Sequence, residues 1–423
     1  METKTHLPQF DSIQKSIRNN LIFFVLLALL IRILWIPFTL HTDLRFTGDI
    51  IEFNFKAFTA QSSDVRNLWY PPIFYFSIRL IQSVISPEGL FFFHLPNQGK
   101  EAQIAILSAP EIFRTLTLLK SWYLIFDLGV AFVLWKLMND EDKRAALLLW
   151  LFCPLVIYNA YFHGQFDLVP VFFVVLGLLY AKNSHANWGV LFLGIGTNFK
   201  YYPFLFLLPL IIIYAKTWKA RLKLLLWGIL PLIVLTIPHI QNSIKLNKYP
   251  QWFFKASYDL GFGAQVYFFF IFYAVLLWYL FYNNPRSFES FWRTCFAILL
   301  IYYQFSYFDL HYWIWVVPFA IIYLVKYTEE AKPFYLVIGL CLLMLLASTP
   351  LARFLAPVSP RFFLRLPSLL ELFNPYLPML FLINVVRSLL AGTCFYLAWK
   401  LVRGIPATRN RISGVTTDPI TTT

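Results

Sequence analysis

A chain of 423 residues with 59% hydrophobic and only 13% charged side chains falls well below the roughly 25% charge of soluble domains, which excludes an ordinary water-solvated fold. Its net charge of +14 would suggest nucleic acid in a soluble protein. In a membrane protein the same excess belongs on cytosolic loops and against anionic headgroups, so nucleic acid is set aside. The four cysteines, Cys153, Cys295, Cys341 and Cys394, all lie inside apolar runs and show neither disulfide nor metal spacing.

In chain order, residues 1–19 are polar and carry Lys4, Lys15 and Arg18. The apolar run Leu21–Leu40 follows, about 20 residues, the length that crosses ~30 Å of hydrocarbon. It is too long for a signal-peptide core and lacks a small-residue cleavage site, so it is expected to stay as a helix with the basic N-terminus in the cytosol. The stretch 41–113 then forms one large external loop. Within it Ile50–Ala60 and Ile73–Ile85 are read as juxtamembrane helices, because they are short and the second holds Arg79 and Gln82.

Further spans are predicted at 115–137, 144–160, 167–181, 188–199, 202–215, 223–240, 266–282, 289–303, 311–326, 333–349 and 378–401. Alternating from the first helix puts Lys143/Arg144, Lys182, Lys216–Lys223, Arg286, Lys326/Lys332 and Lys400/Arg403 all in the cytosol, as the positive-inside rule asks. The expected fold is therefore an all-α polytopic membrane bundle of about twelve helices, one integral domain over 1–403. An external amphipathic loop lies at 351–376, where Arg353, Arg361 and Arg365 read as headgroup contacts. The polar tail 404–423 is expected to be disordered in the cytosol.

This topology gathers the unusual polar stretches on the external face. Asp49 and Glu52 lie one helical turn apart. Asp49 is either a general base or the cap of a helix that Thr47-Gly48-Asp49 opens. His163-Gly164-Gln165-Phe166-Asp167 interrupts an apolar run. His163 and Gln165 suit sugar hydroxyls, while Gly164 ending one helix and Asp167 capping the next make the same motif a turn. Lys200 either snorkels to the interface or holds a phosphate as a point charge. His311 either pairs with Asp309 or binds an anion. There is no Walker loop, dinucleotide fingerprint, zinc spacing or nucleophile elbow. An activated sugar would have to arrive already attached to lipid.

Thr47-Gly48-Asp49 in a first external loop, followed by Trp69-Tyr70-Pro71-Pro72, resembles the GT-C membrane glycosyltransferases. The pattern is similar to the dolichyl-phosphate-glucose glucosyltransferases and to bacterial polyprenyl-phosphate mannosyltransferase-like proteins. The latter carry a Gly-Gln-Phe-Asp turn, here Gly164–Asp167, and a Lys-Xaa-Xaa-Pro, here Lys200-Tyr201-Tyr202-Pro203. His311-Tyr312-Trp313 through Pro318 resembles a late segment of the family. The eukaryotic His-Gly-His-Phe-Gln-Tyr-Asn turn is absent, and the last third carries no matching motif.

The resemblance implies an inverting hexose transfer from a polyprenyl- or dolichyl-phosphate donor to a lipid-linked or glycan hydroxyl. Asp49 would be the base, and Lys200 and His311 would hold the donor phosphate. Glu52, His163, Gln165, Asp167 and Tyr202 would meet sugar or acceptor. Trp69 and Tyr70 would join them, or support the loop and pack the isoprenoid. No cofactor and no metal are implied. The expected location is a bacterial plasma membrane or the endoplasmic reticulum, with the site on the non-cytosolic side. A transporter or lipid flippase is the alternative, although no paired half-repeat with matched broken helices is visible. A non-catalytic lipid-binding subunit is a third.

Overall fold

A computed structural model describes residues 20–41, 104–105, 107–236, 256–261, 264–306, 309–328, 331–348 and 351–404. Asp49, Glu52, Trp69 and Tyr70, the stretches predicted as juxtamembrane helices, most of the predicted loop 41–113, and the tail beyond Gly404 lie outside the described residues.

The described chain is mostly helical. Its helices are α1 Leu21–Trp35, α2 Ile112–Ser121, α3 Tyr123–Leu137, α4 Lys143–Leu151, α5 Pro154–Ile157, α6 Leu168–Lys182, α7 Ala186–Thr197, α8 Leu207–Tyr214, α9 Trp218–Thr236, α10 Phe268–Asn283, α11 Phe288–Phe305, α12 Val317–Lys326, α13 Lys332–Ser348, α14 Pro360–Phe363, α15 Leu369–Phe373 and α16 Met379–Arg403. A short antiparallel hairpin, β1 Ser257–Gly261 with β2 Ala264–Tyr267, precedes α10.

Each of the predicted spans is helical over most of its described residues, with instructive differences at the edges. In Ile112–Leu137, α2 runs on into α3 as one 26-residue helical stretch, apolar and long enough to cross a membrane. The run 144–160 is broken: α4 and Pro154–His163 meet at 43°. Pro154 cannot donate an N–H and forces Cys153 into an extended conformation, ψ 117, which ends α4. The span predicted from 311 begins as a tight 3₁₀ segment, Leu310–Trp315, before α12. By length and composition two helices are apolar and long enough to cross a bilayer, Ile112–Leu137 and Met379–Arg403, or three if the bent pair counts as one. Shorter apolar helices of 10–17 residues, such as α1, α6, α7 and α10, fill out the bundle.

Contacts between helix ends sort those ends into two groups. At one, the backbone N–H of Leu40 meets Phe354 O at 2.8 Å and that of Ala256 meets Phe305 O at 3.1 Å. There, too, Arg387 Nη2 donates to Ser306 O at 3.2 Å. At the other, Lys182 Nζ donates to Leu137 O at 2.7 Å and Arg286 Nη1 to Ile213 O at 2.9 Å. Lys182 lies near enough to feel the charge of Lys326, and Arg286 that of Arg221. The helices run back and forth between a polar end and a basic end.

Small residues let the helices approach closely, as in lipid-embedded bundles. A Cβ added at Gly194 on α7 would fall 2.1 Å from Gly228 O on α9. Gly194→Ala is therefore expected to force the two helices apart and cost about 1–3 kcal/mol, read as a lower thermal midpoint in detergent. Gly339→Ala on α13, where nothing stands within 4 Å, is expected to leave the midpoint unchanged or raise it slightly. Equal behaviour of the two variants would refute the close crossing.

Candidate functional site

The polar end is built around the break after α4. Beyond Pro154, α5 opens into a wide π-turn, Tyr158–His163, closed by Gly164 at φ 74. That left-handed conformation suits glycine because it has no Cβ. Widening the turn releases backbone carbonyls, which need new donors. Thr39 Oγ1 and Lys120 Nζ donate to Tyr161 O at 2.5 and 2.8 Å, and Tyr123 Oη donates to Gly164 O at 2.8 Å. The turn that carries His163 is thus pinned by side chains from α2, α3 and the segment that follows α1.

Behind it sits a dry ion pair that sequence reading passed over. Arg32 on α1 and Asp127 on α3 meet at 2.6 Å with both side chains wholly buried. Trp150 Nε1 and Tyr161 Oη donate to the same carboxylate, each at 2.7 Å, and Arg32 Nη1 donates to Leu151 O at 2.6 Å. Lys120 is also fully buried, with Thr39 O, Thr39 Oγ1 and Tyr161 O as its acceptors. The signal was present: single charges deep in apolar runs face a partner or a cavity.

Asp167 stands at the N-cap position of α6 but makes no capping bond. Its Oδ1 instead accepts from Trp315 Nε1 at 3.1 Å and lies 3.5 Å from Lys200 Nζ, while Asn159 Nδ2 lies 3.5 Å from Oδ2. Lys200 comes from the turn after α7 and is 5% exposed, so it does not snorkel. Its ammonium rests over the rings of Phe166 and Tyr312 at 4.9 and 5.2 Å, where the electron-rich faces attract it. Tyr202 stacks on Trp315 at 4.1 Å and 9°. Gln165 is buried, and its backbone N–H donates to Asn159 O at 3.0 Å.

His311 joins this cluster through Asn159, whose Nδ2 donates to His311 O at 2.9 Å. Its Nδ1 lies 2.8 Å from Asp309 Oδ1, an ion-pairing distance off the line of a good hydrogen bond. Burial alone would raise the Asp309 carboxyl, but contact with His311 and the charge of nearby His163 outweigh it and hold the group at about 2. The His163 ring lies 4.6 Å from His311 and 3.6 Å from His41, with Phe354 of the 351–376 loop against it. In that loop Arg353 bonds Glu371 at 2.5 Å and Leu366 O at 2.9 Å, so it is tied within the protein.

His163, Gln165, Asp167, Lys200, Tyr202 and His311, from three separate stretches of sequence, therefore share one site. Asp49, Glu52, Trp69 and Tyr70 are not among the described residues; His41, the last described residue before them in sequence, lies against His163. Three buried polar atoms in the cluster, Asn159 Oδ1, Tyr202 Oη and His311 Nε2, have no hydrogen-bond partner among the described residues. Buried polar groups left unmatched are costly, and a bound ligand rich in hydroxyl or phosphate oxygen would satisfy them. The arrangement offers cations, unsatisfied donors and acceptors, and stacked rings; no group of three or more metal-ligating side chains occurs among the described residues. No family model, curated protein or solved structure matches the chain.

Proposed function

We propose that this chain is an inverting, GT-C-like membrane glycosyltransferase that moves a hexose from a polyprenyl- or dolichyl-phosphate donor to an acceptor hydroxyl. The observation that carries the reading is the convergence of Lys200, His311 and His163 with three unsatisfied polar atoms at the polar end of an apolar helical bundle. The gathering of Lys182, Arg221, Arg286 and Lys326 at the opposite end supports a topology of about twelve crossings, with both termini cytosolic and the site on the non-cytosolic face.

In the reaction, the acceptor oxygen attacks the anomeric carbon as the bond from that carbon to the phosphate oxygen breaks. The bonding pair leaves with the lipid phosphate, and Asp49 takes the hydroxyl proton. Lys200 and His311 neutralise the charge that develops on the leaving phosphate, so no general acid is required. Asp167 holds Lys200 in place. Glu52, His163, Gln165 and Tyr202 meet sugar or acceptor hydroxyls, with Trp69 and Tyr70 beside them.

The direct test incubates the reconstituted protein with labelled polyprenyl-phosphate mannose or glucose and an acceptor glycolipid. Release of free polyprenyl phosphate with label in the acceptor supports transfer. Movement of intact donor across the vesicle wall with no release would instead make the protein a flippase.

Lys200→Gln is expected to lower transfer by about 10²–10³-fold, with donor saturation shifted far more than acceptor saturation. Because that change strands the Asp167 carboxylate, the neutral pair Lys200→Gln/Asp167→Asn is measured beside it. An equal loss for both substrates in the neutral pair would assign Lys200 to folding rather than to donor binding.

A further inference from the structure

Asn159 has no role in the transfer step, yet it is held more tightly than any packing need explains. It is wholly buried in the π-turn. Its backbone carbonyl accepts from the N–H groups of Gly164 and Gln165, the second at 3.0 Å, which anchors the main chain. The side-chain amide is fixed as well. It faces His311 O at 2.9 Å and Asp167 Oδ2 at 3.5 Å, and a carbonyl and a carboxylate can only accept. One orientation of the amide answers them, with Nδ2 toward both and Oδ1 turned away. That oxygen is buried and has no donor among the described residues.

An acceptor held in this way selects its partner by chemistry. A buried carbonyl oxygen left without a donor is costly, and only an O–H or N–H satisfies it. The phosphate of a sugar-phosphate-lipid diester carries no such hydrogen, so it cannot be the group that Asn159 Oδ1 meets. Lys200 suits that phosphate instead, and it lies 3.5 Å from Oδ1 of the carboxylate whose Oδ2 faces Asn159. The two oxygens of Asp167 therefore place a cation and an amide side by side, one fitted to phosphate and the other to hydroxyl. Tyr202 Oη is also buried without a partner among the described residues. A phenol both donates and accepts, so it discriminates less.

We infer that Asn159 reads the sugar of the donor: its Oδ1 accepts a hydrogen bond from a ring hydroxyl of the hexose, while Lys200 and His311 hold the phosphate joined to that hexose. The donor sugar, rather than the acceptor, follows from the attachment of the amide to His311 and Asp167, which carry and place the phosphate-binding groups. The identity of the ligand rests on the transfer reading. A site built to bond a hydroxyl rejects an analogue that lacks it far better than an apolar pocket rejects an added group, so Asn159 sets specificity for the hydroxyl pattern of the hexose.

The test titrates the full chain in neutral detergent and reads binding from the thermal midpoint. The probes are short-chain polyprenyl-phosphate mannose and glucose, polyprenyl phosphate without sugar, and hexose analogues in which each ring hydroxyl in turn is replaced by fluorine, which cannot donate. At one position the loss of affinity is expected to reach about 10- to 100-fold. In Asn159→Ala that position is expected to matter no further, because the two changes remove the same bond, and the response to sugar-free polyprenyl phosphate is expected to remain. Asn159→Gln, which keeps the amide and displaces its oxygen, is measured beside it with the same expectation, in case the alanine variant does not fold. If every analogue binds the parent within about two-fold of the hexose, no hydroxyl is read and the inference falls. A loss that persists undiminished in the variants assigns the hydroxyl to another residue and overturns it too. Release of polyprenyl phosphate is scored separately. Position-dependent binding without release would keep the role of Asn159 and end the transfer reading, whereas release with uniform binding of the analogues would do the reverse. A chain that binds none of the hexose donors loses both.

Discussion

Asp127→Ala is expected to destabilise the protein by about 3–5 kcal/mol, the cost of stranding one member of a buried pair. Arg32 would keep its charge in a wholly buried position with no carboxylate opposite. Trp150 and Tyr161 would lose their acceptor in the same step. Unfolding in a graded detergent mixture reads the loss directly. The double change Arg32→Met/Asp127→Leu is expected to recover most of it, because it removes both charges and keeps the volume apolar. The two variants separate charge from packing: a single variant as stable as the parent would show that Asp127 is not the counter-ion. The pair also bears on the site, since Tyr161 belongs to the turn that presents His163. Asp127→Ala should therefore weaken any ligand held there even at temperatures where the chain remains folded.

The second large effect concerns chemistry rather than folding. Asp49→Asn keeps the shape of the side chain and removes its basicity, so transfer is expected to fall by about 10²–10⁴-fold with the thermal midpoint unchanged. Asp49→Glu keeps the carboxylate and displaces it by one methylene, and is expected to retain part of the rate. Single-turnover transfer from a labelled lipid-phosphate hexose is the measurement. An Asn variant that transfers at the parental rate would remove Asp49 as the base and leave only its capping role.

The helical framework was legible because hydropathy needs no knowledge of partners. The apolar runs predicted as spans became helices within the described residues, and Lys182, Arg286 and Lys326 between them gathered at one end. The kink at Pro154 was also written in the chain, since proline restrains the residue before it, but a reading that sought unbroken spans passed over it. Arg32, Lys120 and Asp127 were lost for a related reason. A run judged by its average hydropathy hides one charge, although a lone charge at depth must be paired.

The site residues were half legible. His163, Lys200 and His311 stood out as polar letters at the ends of apolar runs. Their mutual contacts did not, because the Asp167–Lys200 and Asn159–His311 links join residues far apart in sequence through backbone geometry that no local pattern encodes. The capping role anticipated for Asp167 illustrates the limit. Local spacing placed it correctly at the start of α6, and tertiary partners then claimed both its oxygens. Asn159 and Trp315, which complete that network, carried no signal beyond their type.

The last helix turns Leu390, Cys394, Leu397 and Leu401 inward and Phe381, Leu389, Tyr396 and Trp399 outward. On the membrane reading proposed above, that wall meets fluid hydrocarbon, which asks of its outer letters only that they be greasy, whereas the inner spine must fit fixed neighbours. Drift over generations is accordingly free to rewrite that outer face while the architecture stays put. In such a chain, likeness of spelling fades long before likeness of shape.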